Sequence, residues 1–422
     1  MGDFSKVRSA FDSLTVYRNL LSDETVSRFL RLLTAAEGGD AASFCAAYGE
    51  FFYSLSSREM GLNLADLLER LIRLDENAFS RAAASGERGK VYNLLHKAAE
   101  YDLAAIATLA AISANDLKSA AGGAQNEAIA ALPEYDTDEK GLFFTQNCFE
   151  MIHDLEWFYK KCGFGRFAEF DAFRWSGELV GVSNADPVRL RDLKEYEYER
   201  GLVVSNTLDF LENRGGGNLL LYGDRGTGKS STVKALANEY RDRGLRIVEI
   251  PLNRLPELPA VIETLRLVPL KFLLFLDDVS FSADDESFSS LKSVLEGGVV
   301  ARSENCRVYA TSNRRHLVKE TFSERNADDV HAGDTMQEKL SLADRFDQTI
   351  SFFAPNQAQY FAIARSLASD RGLGVPFQTL ERAAAQWALR SGGRTPRAAR
   401  QFVDWAQAQT EQGRTLLEGE PE

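Results

Sequence analysis

The chain has 422 residues, 44% hydrophobic and 26% charged, the balance of an ordinary globular protein with about two or three domains. A net charge of −13 disfavours non-specific nucleic-acid binding by the surface as a whole, leaving a local basic patch as the route to that partner. Cys45, Cys148, Cys162 and Cys306 are scattered without CxxC spacing, which argues against a disulfide framework or a zinc site and fits a reducing, cytoplasmic setting.

Asp3 and Lys6 interrupt any apolar run at the start, so no signal peptide is expected. The most apolar helix-like stretch, 103–114, is too short and alanine-rich to span a bilayer, and no membrane role is expected. Residues 1–180 read as a helical domain. Val26, Phe29, Leu30 and Leu33 repeat at helical spacing, as do Leu64, Leu67, Leu68 and Leu71. Breaks fall at Glu37-Gly38-Gly39-Asp40, Ser85-Gly86 and Gly122-Gly123. The aromatic clusters Phe51-Phe52-Tyr53, Phe143-Phe144 and Trp157-Phe158-Tyr159 read as core rather than as a base-stacking surface. His96 and His153 stand alone and read as surface or satisfied core histidines. The aromatic-rich stretch 166–175 reads as the edge of the helical part.

After a mostly helical segment over 190–211, Asn218-Leu219-Leu220-Leu221-Tyr222 predicts a buried strand. Gly223-Asp224-Arg225-Gly226-Thr227-Gly228-Lys229-Ser230 follows and fits the phosphate-binding pattern G-x-x-x-x-G-K-[ST]. Val233, Leu236, Ala237 and Tyr240 then repeat at helical spacing, and Gly244 is a helix stop. Strand, glycine loop and helix are the context that makes the motif credible. The glycines let backbone N–H groups converge, and the helix start at Lys229 and Ser231 aims its positive dipole end at the same point. Lys229 supplies a mobile charge for the β- and γ-phosphates, and Ser230 a hydroxyl for Mg²⁺.

The chain then alternates strand and helix. Strands are predicted over 246–250, 272–276, 307–311 and 348–352. Leu258, Val261, Ile262 and Leu265 mark one helix; Phe288, Leu291 and Leu295 mark another, stopped by Gly297-Gly298. This alternation predicts an α/β fold with an open, five-stranded parallel sheet over 181–354. Residues 323–337, with His331, read as a polar mobile loop. Helix resumes after Pro355 and reads as a small lid, 355–422, too small for a core of its own and ending in an acidic tail.

Five further positions carry chemistry. Asp277 and Asp278 end the apolar strand 272–276, where ligand-binding groups of a parallel sheet sit. Asp277 is placed to hold Mg²⁺ and Asp278 to polarise an attacking water. Thr311-Ser312-Asn313 closes the next strand before Arg314-Arg315-His316, and a polar side chain there, Asn313, is placed to bond that water or the γ-phosphate. Arg345 precedes the last strand and can neutralise charge on the transferred phosphoryl group, in cis or from a neighbouring subunit. Arg397, in Gly393-Arg394-Thr395-Pro396-Arg397, opens a lid helix and could touch the γ-phosphate.

The order P-loop, Asp277-Asp278, Asn313, Arg345, Arg397 resembles the AAA+ ATPases, whose corresponding motifs are Walker A, Walker B, sensor 1, arginine finger and sensor 2. GDRGTGKSS, FLLFLDDVSF, LKSVLEGG, YATSNRRHL and EKLSLADRF further resemble the bacterial family catalogued as domain of unknown function 815, of predicted AAA+ ATPases, over roughly residues 181–370. The resemblance implies ATP and Mg²⁺ as ligands, hydrolysis coupled to remodelling or loading of a macromolecular partner, assembly of copies of the chain into a ring or filament, and a protein client that is not identified. Asp278 departs from the wider class, which has glutamate there, and this keeps open a nucleotide-gated binding module with negligible turnover. A small-molecule kinase is a weaker third reading, since no acceptor-binding signature is present.

Overall fold

The computed structural model describes residues 4–58, 61–135, 142–145, 147–280, 290–292, 294–295, 303–313 and 343–417. Phe288, Gly297-Gly298, Arg314-Arg315-His316 and the segment 323–337 with His331 lie outside them. The chain divides into two compact units, Met1–Glu169 and Phe170–Glu422.

The first unit is helical among its described residues. Its helices are α1 (Phe4–Asp12), α2 (Glu24–Glu37), α3 (Ala41–Ser56), α4 (Leu64–Leu74), α5 (Ala78–Ser85), α6 (Lys90–Ala110), α7 (Ala114–Ala120), α8 (Glu127–Ala130), α9 (Cys148–Cys162) and α10 (Arg166–Glu169). The stripe Val26, Phe29, Leu30, Leu33 enters one continuous core with Leu64, Leu67, Leu68, Phe51, Phe143 and Tyr159. Each aromatic cluster thus sends one ring inward, while Tyr53 and Trp157 stay exposed. Polar side chains fix the helix starts: Asp23 accepts from the amides of Thr25 and Val26, and Asn147 and Glu150 form a capping box on α9. Asp102 of α6, fully buried, accepts from the amides of Thr15, Val16 and Tyr17 and ties down the chain that follows α1.

The second unit is built on a sheet of seven strands: β1 (Ala172–Trp175), β2 (Leu179–Gly181), β3 (Leu219–Gly223), β4 (Leu245–Glu249), β5 (Lys271–Leu276), β6 (Cys306–Ser312) and β7 (Gln348–Phe352). Their order is β2-β1-β4-β5-β6-β3-β7, parallel throughout except for the antiparallel pair β1–β2. The count corrects the five-strand expectation. The stretch 166–175 was read as the edge of the helical domain, yet β1 alternates buried Phe173 and Trp175 with exposed Arg174, and β2 returns after the turn at Ser176-Gly177. The two strands extend the sheet beyond β4, so the unit begins at Phe170 rather than after residue 180.

Central strand β5 is buried at Phe272, Leu273, Leu274, Phe275 and Leu276, as a strand covered on both faces must be. On one face α11 (Glu197–Leu211) and α12 (Lys229–Glu239) place Val203, Phe210, Val233 and Leu236 against Leu219, Leu221, Leu273 and Phe275. The helical stripe at Leu258, Val261 and Leu265 becomes α13 (Leu258–Leu265). The segment expected as helix over 190–211 divides into a short turn at Leu190–Asp192, an irregular strap over 193–196, and α11.

The C-terminal piece consists of α14 (Gln357–Asp370), α15 (Phe377–Arg390) and α16 (Pro396–Glu411). It was expected to be too small for a core of its own. It has one: Tyr360, Ile363, Leu380, Ala384, Phe402 and Val403 pack together, closed by Leu416 and Leu417.

Candidate functional site

Register aligns the functional groups. Leu221 of β3 faces Thr311 of β6 and Ile350 of β7, and Gly223 faces Phe352. Leu276 of β5 faces Ala310, so the next residue, Asp277, comes level with Thr311. The carboxyl ends of β3, β5 and β6 therefore form one rim, where a parallel sheet binds ligands.

The glycine loop needs its glycines at identifiable points. Gly223 has φ +133°, and a Cβ there would lie 2.1 Å from the Phe352 carbonyl oxygen. Gly228 has φ +96° and caps α12. Gly226, at φ +75°, accepts at its carbonyl oxygen from the Arg397 amide, 3.2 Å away. Asp224 accepts through Oδ2 from the Ala354 amide at 2.7 Å. Thr227 Oγ1 donates to the Asp224 carbonyl at 2.9 Å, closing the loop on itself. Arg225 is exposed and Ser231 partly buried at the start of α12.

Lys229 is buried, and its Nζ donates to the carbonyls of Gly223 (3.0 Å) and Asp224 (2.7 Å) and to Asn313 Oδ1 (3.2 Å). Burial lowers its pKa from the usual lysine value, against the opposing pull of Asp224, Asp278 and Asp277. Ser230 Oγ donates to Asp277 Oδ1 at 2.6 Å, and Thr311 Oγ1 donates to the same oxygen at 2.6 Å. Asp278 adopts the left-handed backbone region, φ +52°; its amide donates to Thr311 Oγ1 at 2.9 Å, and its carboxylate accepts from Asn313 Nδ2. Lys229, Ser230, Asp277, Asp278 and Asn313 are thus joined by continuous hydrogen bonds. A carboxylate and a hydroxyl at this spacing suit a small hard cation that takes few protein oxygens, such as Mg²⁺.

Arg397 meets the loop through its backbone and lies 3.3 Å, at its Cβ, from where a Gly226 Cβ would be. Arg345 does not join the cluster. It sits in the turn Ala343–Arg345 ahead of β7, whereas the loop lies beyond the other end of that strand. Its neighbour Asp347 accepts from the Asn218 amide at 2.7 Å, at the start of β3.

Sequence reading named Thr311 only within the strand-end run Thr311-Ser312-Asn313, and it missed a small cavity of about 40 Å³ beside the loop. Leu193, Lys194 and Tyr196 of the strap line it, with Thr227 and Gly228, and Ile363 and Leu367 of α14. Glu195 and Tyr196 are consecutive non-glycine residues with positive φ, +59° and +61°. Arg200 of α11 braces them by donating to the carbonyls of Leu190, Leu193 and Tyr196. The Tyr196 ring stacks on Phe352 at 5.5 Å, and its hydroxyl donates to the Phe353 carbonyl at 2.6 Å. Lys194 pairs with Asp370 at the end of α14 at 2.7 Å, so strap and lid are tied across the pocket. No local signal marks these residues, because the pocket assembles from segments far apart in the chain.

A mostly parallel sheet, a glycine loop opening a helix, two strand-end acids and a three-helix C-terminal piece define a P-loop α/β protein. The chain belongs to the family described as Protein of unknown function (DUF815), whose model matches residues 168–410. That match starts just before β1 and runs through the lid. No curated protein matches the chain. Among solved structures it is similar to Thermotoga maritima RuvB, described as a Holliday junction branch migration motor, at 13% identity and TM-score 0.38, covering 54% of this chain and 67% of that one. It is also similar to AMPPCP-bound DnaA from Aquifex aeolicus, at 14% identity and TM-score 0.38, covering 54% and 68%.

Proposed function

We propose that the protein is an Mg²⁺-dependent ATPase of the AAA+ type that couples hydrolysis to remodelling or loading of a macromolecular partner. The observation that carries this reading is the 2.6 Å contact between Ser230 Oγ and Asp277 Oδ1 beside the buried Lys229 ammonium. It unites the hydroxyl, carboxylate and cation that nucleotide chemistry needs at one rim.

In this reading the loop amides from Gly223 to Ser231 and the Lys229 ammonium bind the phosphates. Ser230 and Asp277 hold Mg²⁺, which when bound offsets charge on the phosphate oxygens. Asp278 accepts the proton of a water whose oxygen forms a bond to the γ-phosphorus as the bond to the β–γ bridging oxygen breaks. Asn313 orients that water. Arg345, far from its own loop, serves a neighbouring copy of the chain, and Arg397 reports nucleotide state to the lid. Phosphate release by the purified protein tests the reading: it should require Mg²⁺ and vanish in Lys229→Ala and Asp278→Asn. No release from wild type, with ATP bound, would refute it.

A second reading, a nucleotide-gated binding module, is favoured by one observation. Asn313 bonds both Asp278 and Lys229, so the base is engaged by its neighbours, and it is one methylene shorter than glutamate. This reading expects ATP to change the lid without turnover and partner capture to depend on ATP alone. No helix among the described residues is long and apolar enough to cross a membrane. The client is proposed to be a protein; nucleic acid remains an outcome to be tested by binding to single strands at low salt.

A further inference from the structure

We infer that Thr311 is the positioning residue that sets both strand-end acids, Asp277 for metal binding and Asp278 for water activation. The inference rests on the ATPase reading of those two aspartates. Thr311 is 2% exposed, and its hydroxyl is used in both directions. It donates to Asp277 Oδ1 at 2.6 Å and accepts from the Asp278 amide at 2.9 Å, which one proton and two lone pairs allow at the same time. Its backbone carbonyl accepts from the Val279 amide at 2.7 Å, so three consecutive residues at the end of β5 are held by this one residue of β6.

Both contacts bear on function. Asp277 Oδ1 receives the hydroxyls of Ser230 and Thr311. Two donors on one oxygen fix the plane of the carboxylate and thereby the direction of its other oxygen. The bond from the Asp278 amide holds a left-handed backbone that sends the side chain towards Asn313 and Lys229. A residue needed for packing alone would be served equally well at this strand position by valine, which has the same shape and no hydroxyl. Partners that orient a metal ligand typically change metal affinity 10–100-fold when removed.

The test is equilibrium binding of a fluorescent adenine nucleotide to the full chain, titrated with Mg²⁺ and repeated in chelator, alongside phosphate release. Thr311→Val should leave metal-free nucleotide affinity within about twofold, since Lys229 and the loop are untouched. It should raise the Mg²⁺ concentration for half-maximal effect by about 10-fold or more. Thr311→Ser keeps the hydroxyl and should return it to within about threefold of wild type. Should Thr311→Val fail to fold, Thr311→Ala against Thr311→Ser isolates the hydroxyl, because both lack the methyl group. Equal Mg²⁺ midpoints for wild type and Thr311→Val, or for Ala and Ser, overturn the inference and leave the ATPase reading standing. A wild type that binds no nucleotide, or binds it without regard to Mg²⁺, overturns that reading and takes this inference with it.

Discussion

Lys229 Nζ lies 2.7 Å from the carbonyl oxygen of Asp224, so the loop's own backbone holds the ammonium proposed to meet phosphate. Asp224 and Lys229 lie at opposite ends of the loop, and the bond closes it. A nucleotide must take the lysine from these carbonyls.

A proton effect follows. Burial lowers the Lys229 pKa from the ordinary lysine value, and a bound phosphate would raise it again. Between the free and the bound pKa, nucleotide binding takes up a proton, and affinity falls as pH rises through that window. Calorimetry in two buffers of different ionisation heat, from about pH 7 to about pH 10, should show uptake appearing at the alkaline end. Affinity and buffer dependence that stay flat over that range would contradict it.

Asp278 should tolerate asparagine better than glutamate. Its φ of +52° lies where aspartate and asparagine are enriched and longer side chains are not. Asp278→Asn is expected to unfold in urea within about 0.5 kcal/mol of wild type, whereas Asp278→Glu loses about 1 kcal/mol. Turnover of Asp278→Asn should fall by roughly 100-fold or more with nucleotide affinity preserved.

Arg345 gives a complementation test. It precedes β7, while the loop lies past that strand's far end. Arg345→Ala should bind nucleotide as wild type does and lose about 10³-fold in turnover. Mixing it with Lys229→Ala should restore activity, because an intact loop then meets an intact arginine from another copy. Equal turnover by wild type and Arg345→Ala would remove this role.

Gly223→Ala should destabilise the second unit severely. Its φ is +133°, and the new Cβ would sit 2.1 Å from the Phe352 carbonyl oxygen, part of the β3–β7 ladder. A loss of about 3 kcal/mol or more is expected in chemical denaturation. Gly228→Ala, with φ +96° and nothing within 4 Å of the added Cβ, should cost less.

What the sequence revealed depended on the range over which each signal acts. The loop and β3 to β7 were legible because each is coded by adjacent residues: an apolar run, glycines, a helical stripe. Strand ends shifted by about one residue, as with the strand expected over 246–250 and found at Leu245–Glu249. Strands β1 and β2 were missed because four and three residues are too short to show a period, and their aromatic rings suit helix or strand alike. Thr311 was read only as part of the polar strand end Thr311-Ser312-Asn313, with Asn313 as the functional side chain, since its own meaning comes from register against Asp277 rather than from its neighbours. Aspartate in place of glutamate at 278 stood out as a departure; the backbone at that position supplies a reason for it.

The loop is fastened to the C-terminal helices at two points: Asp224 to the Ala354 amide, just before α14, and Gly226 to the Arg397 amide in the first turn of α16. These anchors enclose α14, α15 and everything between them. A three-helix body mounted this way has little freedom to swing on a single pivot. In the proposed nucleotide cycle, any reshaping of the loop as Lys229 changes partners would be delivered to both mounts at once, and the three helices are then expected to tilt as one piece.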